Sequence, residues 1–171
     1  MSAVTKLGVS ALALSAAIVA LDQTVKYWVL NVLRLPDLAT VPVAGPLHWT
    51  MVWNQGVSFG FFRAEHDFVR WALAAFSIIV AVVLTGWVRK AVRPLFALAL
   101  GLVIGGAVGN VIDRIRFGAV VDFVDVTRIG FFPWVFNIAD AAISVGIGCL
   151  LLDMLLQDRA EKAANLSGDA A

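Results

Sequence analysis

One cysteine, two histidines and one tyrosine are all that this chain of 171 residues holds of those types, and only 15% of it is charged. The lone Cys149 lies inside an apolar run, which excludes an internal disulfide and a cysteine-ligated metal. His48 and His66 stand apart with no H-E-x-x-H pattern, so no metal is expected and both read as loop histidines. Thirteen basic residues against twelve acidic ones leave a net charge of +1, which offers no basic face to a nucleic acid. Hydrocarbon fills the rest: the chain is 61% hydrophobic with a mean hydropathy of +0.89. A soluble domain is about 45–50% apolar and about 25% charged. The composition is that of an integral membrane protein with room for four spans of about 20 residues.

Apolar runs place the spans near 7–33, 68–88, 94–112 and 138–156. The first could pass for a secretory signal behind Lys6, but apolar character resumes after Asp22 through Tyr27–Leu33, so it reads as a retained span. Asp22 and Lys26 are four residues apart, on one helix face where they can pair. The connection 34–67 carries Pro36, Pro42, Gly45 and Pro46, then the alternating His48-Trp49-Thr50-Met51-Val52-Trp53, which reads as a strand at headgroup level. Arg89, Lys90 and Arg93 crowd the turn between spans two and three. The positive-inside rule puts that turn and both termini in the cytoplasm and both long loops outside. Gly101, Gly105 and Gly109 repeat the G-x-x-x-G spacing that lets another helix approach closely. The expected fold is an all-α integral membrane protein, four transmembrane helices with a small external β-rich loop region.

Asp113, Asp122, Asp125 and Asp140 cluster where the chain leaves span three and enters span four. Carboxylates at a membrane edge are costly and call for a reason. Two of them sharing one proton can act as base and acid on a water. The plainer account is that each caps a helix or pairs with Arg114, Arg116 or Arg128, and spacing does not choose between Asp122 and Asp125 as partner of Asp140. Asn54, Asn110 and Asn137, with Asp22, Lys26, Asp113 and Arg114, fall at a similar depth and suggest one wet cavity. A transporter or channel lining would produce the same layer. Gly56-Val57-Ser58-Phe59-Gly60 matches G-x-S-x-G, but that motif needs a large parallel sheet, which the chain has no room to build. A Ser58–Lys26 dyad is chemically conceivable. The aromatics Trp49, Trp53, Phe59, Phe61 and Phe62 suit an interfacial belt or a wall for an acyl chain.

Four blocks of residues resemble the prolipoprotein signal peptidases (signal peptidase II), aspartic peptidases of the bacterial cell membrane. They are Asp22-Gln23-x-x-Lys26; Asn54-x-Gly56-x-x-Phe59-Gly60; Gly106-x-x-Gly109-Asn110-x-x-Asp113-Arg114, running on to Gly118-x-Val120-x-Asp122-Phe123; and Phe136-Asn137-x-Ala139-Asp140. Val57-Ser58 departs from the small alanines frequent there, and Thr127–Val135 adds nothing to the resemblance. The resemblance implies that Asp122 and Asp140 are the catalytic pair, ahead of Asp125. It implies that Asp22, Lys26, Asn54, Gly56, Asn110, Asp113, Arg114, Asn137 and Ala139 support or line the site. It further implies a lipidated prolipoprotein substrate in contact with membrane lipid, cleavage before the lipidated cysteine, and no metal or organic cofactor. A monomer in the bacterial inner membrane is expected, with residues 1–157 as one peptidase domain and 158–171 as a polar, disordered tail.

Overall fold

A computed structural model describes residues 3–56, 66–130 and 132–168. Four of its helices are long and apolar enough to span a bilayer: α1 (Lys6–Tyr27), extended by a π-helical turn at Trp28–Val32, α3 (His66–Val88), α4 (Pro94–Phe117) and α5 (Ile138–Gly168). Between α1 and α3 lie the short helix α2 (Leu35–Leu38) and strands β1 (Thr40–Ala44) and β2 (Leu47–Asn54). Between α4 and α5 lie β3 (Val120–Asp125), a 3-10 turn at Thr127–Ile129, and β4 (Val135–Phe136). The four strands form one antiparallel sheet in the order β1-β2-β3-β4. The multi-pass helical fold with a small β-rich region is therefore as the sequence implies.

The axis of the bundle is α4: 67% of its most apolar stretch is buried, against 17–22% in the other three spans. Small residues make that possible. A Cβ on Gly101 would lie 2.7 Å from the Ala11 carbonyl oxygen of α1, and one on Gly105 2.9 Å from that of Ser15. On another face, a Cβ on Gly106 would collide with the Ala139 carbonyl and Ile143 of α5. Gly106→Ala is expected to cost stability at or above the upper end of the usual overpacking range of about 1–3 kcal/mol, because the obstacle is backbone. Gly86→Ala, with nothing within 4 Å of the new methyl, should be neutral or slightly stabilising. Thermal unfolding of the two variants in detergent checks the contrast.

The end of the bundle away from the sheet is pinned by polar contacts. Thr5 caps α1, accepting from the Gly8 amide at 3.0 Å, and its hydroxyl donates to the Ala91 carbonyl at 2.7 Å. Arg93 at the start of α4 pairs with the buried Asp153 of α5 at 2.6 Å. The sheet end packs on a second core of Val29, Leu35, Val121 and Phe123, with Trp49 tilted on Phe123 at 5.5 Å between centroids.

Two boundaries differ from the sequence reading. Hydropathy ends span three at residue 112, whereas α4 runs to Phe117 and closes on Gly118 in the left-handed region (φ 78°). The extra turn is polar on one side, so a hydropathy window cannot see it. Likewise, α5 continues to Gly168, into the stretch read as a disordered tail. Alanine-rich sequence and the Asp158–Lys162 pair (2.7 Å, one turn apart) favour the helix there.

Candidate active site

Lys26 is the buried centre of the polar layer at the sheet end. Only 2% exposed, its ammonium meets Asp22 at 2.8 Å, Asp113 at 2.7 Å and the Asn110 Oδ1 at 3.3 Å. The i, i+4 pairing of Asp22 with Lys26 thus forms, with a second carboxylate from α4. A lysine has three N–H donors, and here all three have partners. Gln23, quoted in the first motif but given no role by it, completes this group. Its amide donates to Asp113 at 2.9 Å and to Asp22 and the Gly109 carbonyl at 3.2 Å each, while its oxygen accepts from Arg116 at 3.3 Å.

These carboxylates also tie backbone. Asp22 accepts from the Ala139 amide at 3.0 Å, satisfying one of the unpaired N–H groups at the start of α5. Asp113 accepts from the Val121 amide at 3.0 Å and so sets where β3 begins relative to α4. The fully buried Ala139 sits against Gly106 and Gly109; a larger side chain there would push α5 off α4.

Asp122 and Asp140 approach each other across this frame. Asp122, in the middle of β3 and 1% exposed, accepts from the Asn54 amide at 2.9 Å and the Asn137 amide at 2.6 Å. Asp140, in the first turn of α5 and half-buried, accepts from the Asn110 amide at 2.8 Å. Asn110 and Asn137 are bonded to each other at 3.2 Å, so a continuous chain of amides links the two carboxyls. Lys26 facing Asn110 Oδ1 orients that amide so that its NH2 points to Asp140. Asn137 also accepts from the Asp140 amide at 2.9 Å, with a 3.4 Å return bond from the Asn137 amide to the Asp140 carboxylate; this is a capping box at the start of α5.

The plainer alternative of capping therefore holds for Asp140, alongside its place in the pair. Among the described residues, no ion pair joins Asp122 or Asp140 to Arg114, Arg116 or Arg128. Arg114 is half-buried beside the site and donates to its own helix at the Asn110 carbonyl, at 3.4 Å. Gly56 takes φ +84° and donates to the Asn54 side chain at 2.8 Å, closing the turn that aims Asn54 at Asp122. Asp125 lies three positions along β3 from Asp122 and so on the opposite face. There it accepts from Thr50 at 2.6 Å and from the Thr127 hydroxyl at 2.7 Å.

Burial pushes the Asp122 carboxyl up to about 6, and the neighbouring Asp140 charge adds to it; the amides of Asn54 and Asn137 and the charge of Lys26 only partly offset these. Burial would raise Asp125 too. Its bonds from Thr50 and Thr127, with the charge of His48, outweigh that and hold it below the usual carboxylate range. A carboxylate settled in that way suits structure. Beside Asp140 an apolar groove of about 260 Å³ opens along α5, lined by Phe132, Phe136, Ala141, Ser144 and Val145. Of the aromatic stripe, Trp49 stacks into the sheet core and Trp53 meets Phe117 edge-on at 5.8 Å. Phe59, Phe61, Phe62 and the G-x-S-x-G serine, Ser58, lie outside the described residues. No cluster of three metal-ligating side chains occurs among the described residues.

Fold and site together define a multi-pass membrane protein with a desolvated, amide-bridged aspartate pair beneath a small sheet. Its fold matches that of a solved bacterial membrane enzyme, determined by the in meso method at 2.3 Å. That match has a TM-score of 0.75 and 27% identity and covers 95% of this chain and 96% of that one. The sequence model described as Signal peptidase (SPase) II matches residues 14–156, and the chain belongs to that family. The lipoprotein signal peptidase of Caulobacter vibrioides is 52% identical over 156 residues, covering 91% of this chain and 92% of its own. That of Methylobacterium sp. (strain 4-46) is 39% identical over 153 residues, covering 90% and 93%.

Proposed function

We propose that this chain is an intramembrane aspartic endopeptidase that removes the signal peptide from diacylglyceryl-modified bacterial prolipoproteins, cutting before the lipidated cysteine. Family membership and relatives named lipoprotein signal peptidase support the substrate class. The observation that carries the mechanism is the amide chain from Asp122 through Asn137 and Asn110 to Asp140. It ties the two carboxyls to one hydrogen-bonded network, which supports their acting as a pair.

In this reading the ionised member of the pair takes a proton from a water held between them, and that water attacks the scissile carbonyl. The protonated partner donates to the developing oxyanion and later passes its proton to the leaving amine. The asparagines donate to carboxylate oxygens and compete for no proton, so they fix the geometry without quenching the chemistry. Arg114 and Asn54 line the approach, and the groove beside Asp140 takes an apolar part of the substrate. A substrate anchored in the same leaflet arrives with much of its positioning entropy already lost. On this reading the sheet end faces outward, both termini are cytoplasmic, residues 1–157 are the working domain and a monomer in the inner membrane suffices.

The test is to incubate purified protein with matched lipidated and unlipidated precursor peptides and identify the products by mass spectrometry. Cleavage of the lipidated precursor alone, before its cysteine, is the expected result. Ion flux in liposomes without peptide products would instead favour a transporter.

A pH profile follows from Asp122. The working pair needs one proton, and that proton is lost as pH rises through about 6. kcat/KM is expected to fall on the alkaline side of about pH 6, with the kcat limb displaced to higher pH because bound substrate desolvates the pair further. The sign for stability is the same. A carboxyl raised from 3.8 to about 6 stabilises the fold below the lower value, and that contribution is lost as pH rises through the upper one.

A further inference from the structure

Arg70 stands at the start of α3, outside every motif above, and reaches across to α4. Its Nε donates to the Arg114 carbonyl at 2.7 Å and its Nη2 to the Ile115 carbonyl at 3.1 Å. The last carbonyls of a helix have no partner within it, and a cation is favoured there. The same Arg114 carbonyl receives the Gly118 amide at 3.1 Å, so the guanidinium sits on the very turn where α4 gives way to β3. A Cβ on Gly118 would lie 3.5 Å from Nη1, which places the arginine flat against that turn. Trp71 backs the guanidinium at 4.7 Å, and Asp67 is 3.8 Å from Nη1.

Three residues of the site flank this turn. Asn110 and Asp113 lie on the last two turns of α4, and Asp122 follows five residues after its end. Along the rest of its length α3 is flanked by apolar grooves of about 370 Å³ on each side, lined by Ile78, Val82 and Val108 on one and by Val80, Val103 and Ile147 on the other. Apolar side chains slide past one another, whereas a two-pronged guanidinium fixes register.

We propose that Arg70 is a positioning residue for the aspartate site, clamping the end of α4 and through it Asn110, Asp113 and the start of β3. This rests on the peptidase reading for its effect on rate. Arg70→Met keeps length and apolar cover while removing the donors; Arg70→Lys returns one charged donor. The expected results are a kcat about tenfold lower in Arg70→Met with KM within about twofold, substantial recovery in Arg70→Lys, and hydrogen exchange at the Gly118 and Val121 amides faster by about tenfold in Arg70→Met. Exchange needs no substrate. If wild-type protein cleaves no lipidated precursor, the peptidase reading fails while exchange still decides whether Arg70 holds the turn. Unchanged exchange at those amides, a uniform rise across α3 and α4, or a Lys variant no better than Met would each overturn the proposal.

Discussion

Asp122→Asn and Asp140→Asn are each expected to lower cleavage of a lipidated precursor by about 10³–10⁴-fold while leaving a folded, membrane-inserted protein. Removing either carboxyl deprives the water of its base or the oxyanion and leaving amine of their acid, and the remaining partner cannot fill both roles. Both substitutions preserve volume, and in each the new side-chain oxygen can still accept from a facing asparagine amide. The two defects should not add: the double variant should be about as slow as either single one, because the pair acts as a unit. Steady-state cleavage of one precursor by the four proteins, with unfolding temperature as the control, decides it. Retained activity in either single variant removes that residue from the mechanism.

Lys26→Met is expected to be the most damaging single change to the fold. It leaves Asp22 and Asp113, both fully buried, facing each other without their shared cation. Removing one member of a buried ionic group costs about 3–5 kcal/mol, a large share of a domain's total stability. It also releases Asn110, so any protein that does fold should be slow. Adding Asp22→Asn should recover part of the stability by removing one stranded charge, and thermal unfolding of the single and double variants measures the recovery. A Lys26→Met protein as stable as wild type would show that the lysine is not holding the two acids together.

Hydropathy made the four spans legible, and alternation at His48–Trp53 made β2 legible, because each is a local pattern. The Asp22–Lys26 pair was also local, four residues apart on one helix. Asp125 could not be separated from Asp122 by spacing, since the decision depends on β3 being a strand. Once it is, three positions apart means opposite faces, and Thr50 and Thr127 take the outer carboxylate. Asn137 lies three residues before Asp140, so its bond to the Asp140 amide is local, whereas its bond to Asp122 depends on where β3 and α5 come together. Gln23 and Arg70 had no local signal for what they do. Their partners on α4 are 86 to 93 and 44 to 45 residues away, and only the packing of α1 and α3 on α4 brings them together.

In this mechanism Asp122 and Asp140 hold one proton between them, and difference infrared spectroscopy of the purified protein during a pH titration reads that proton. A protonated-carboxyl band that disappears as pH rises through about 6 in wild type, and is missing or displaced in both Asp122→Asn and Asp140→Asn, is the expected result. A band that titrates unchanged in both variants would assign the proton to another carboxyl and take it away from this pair.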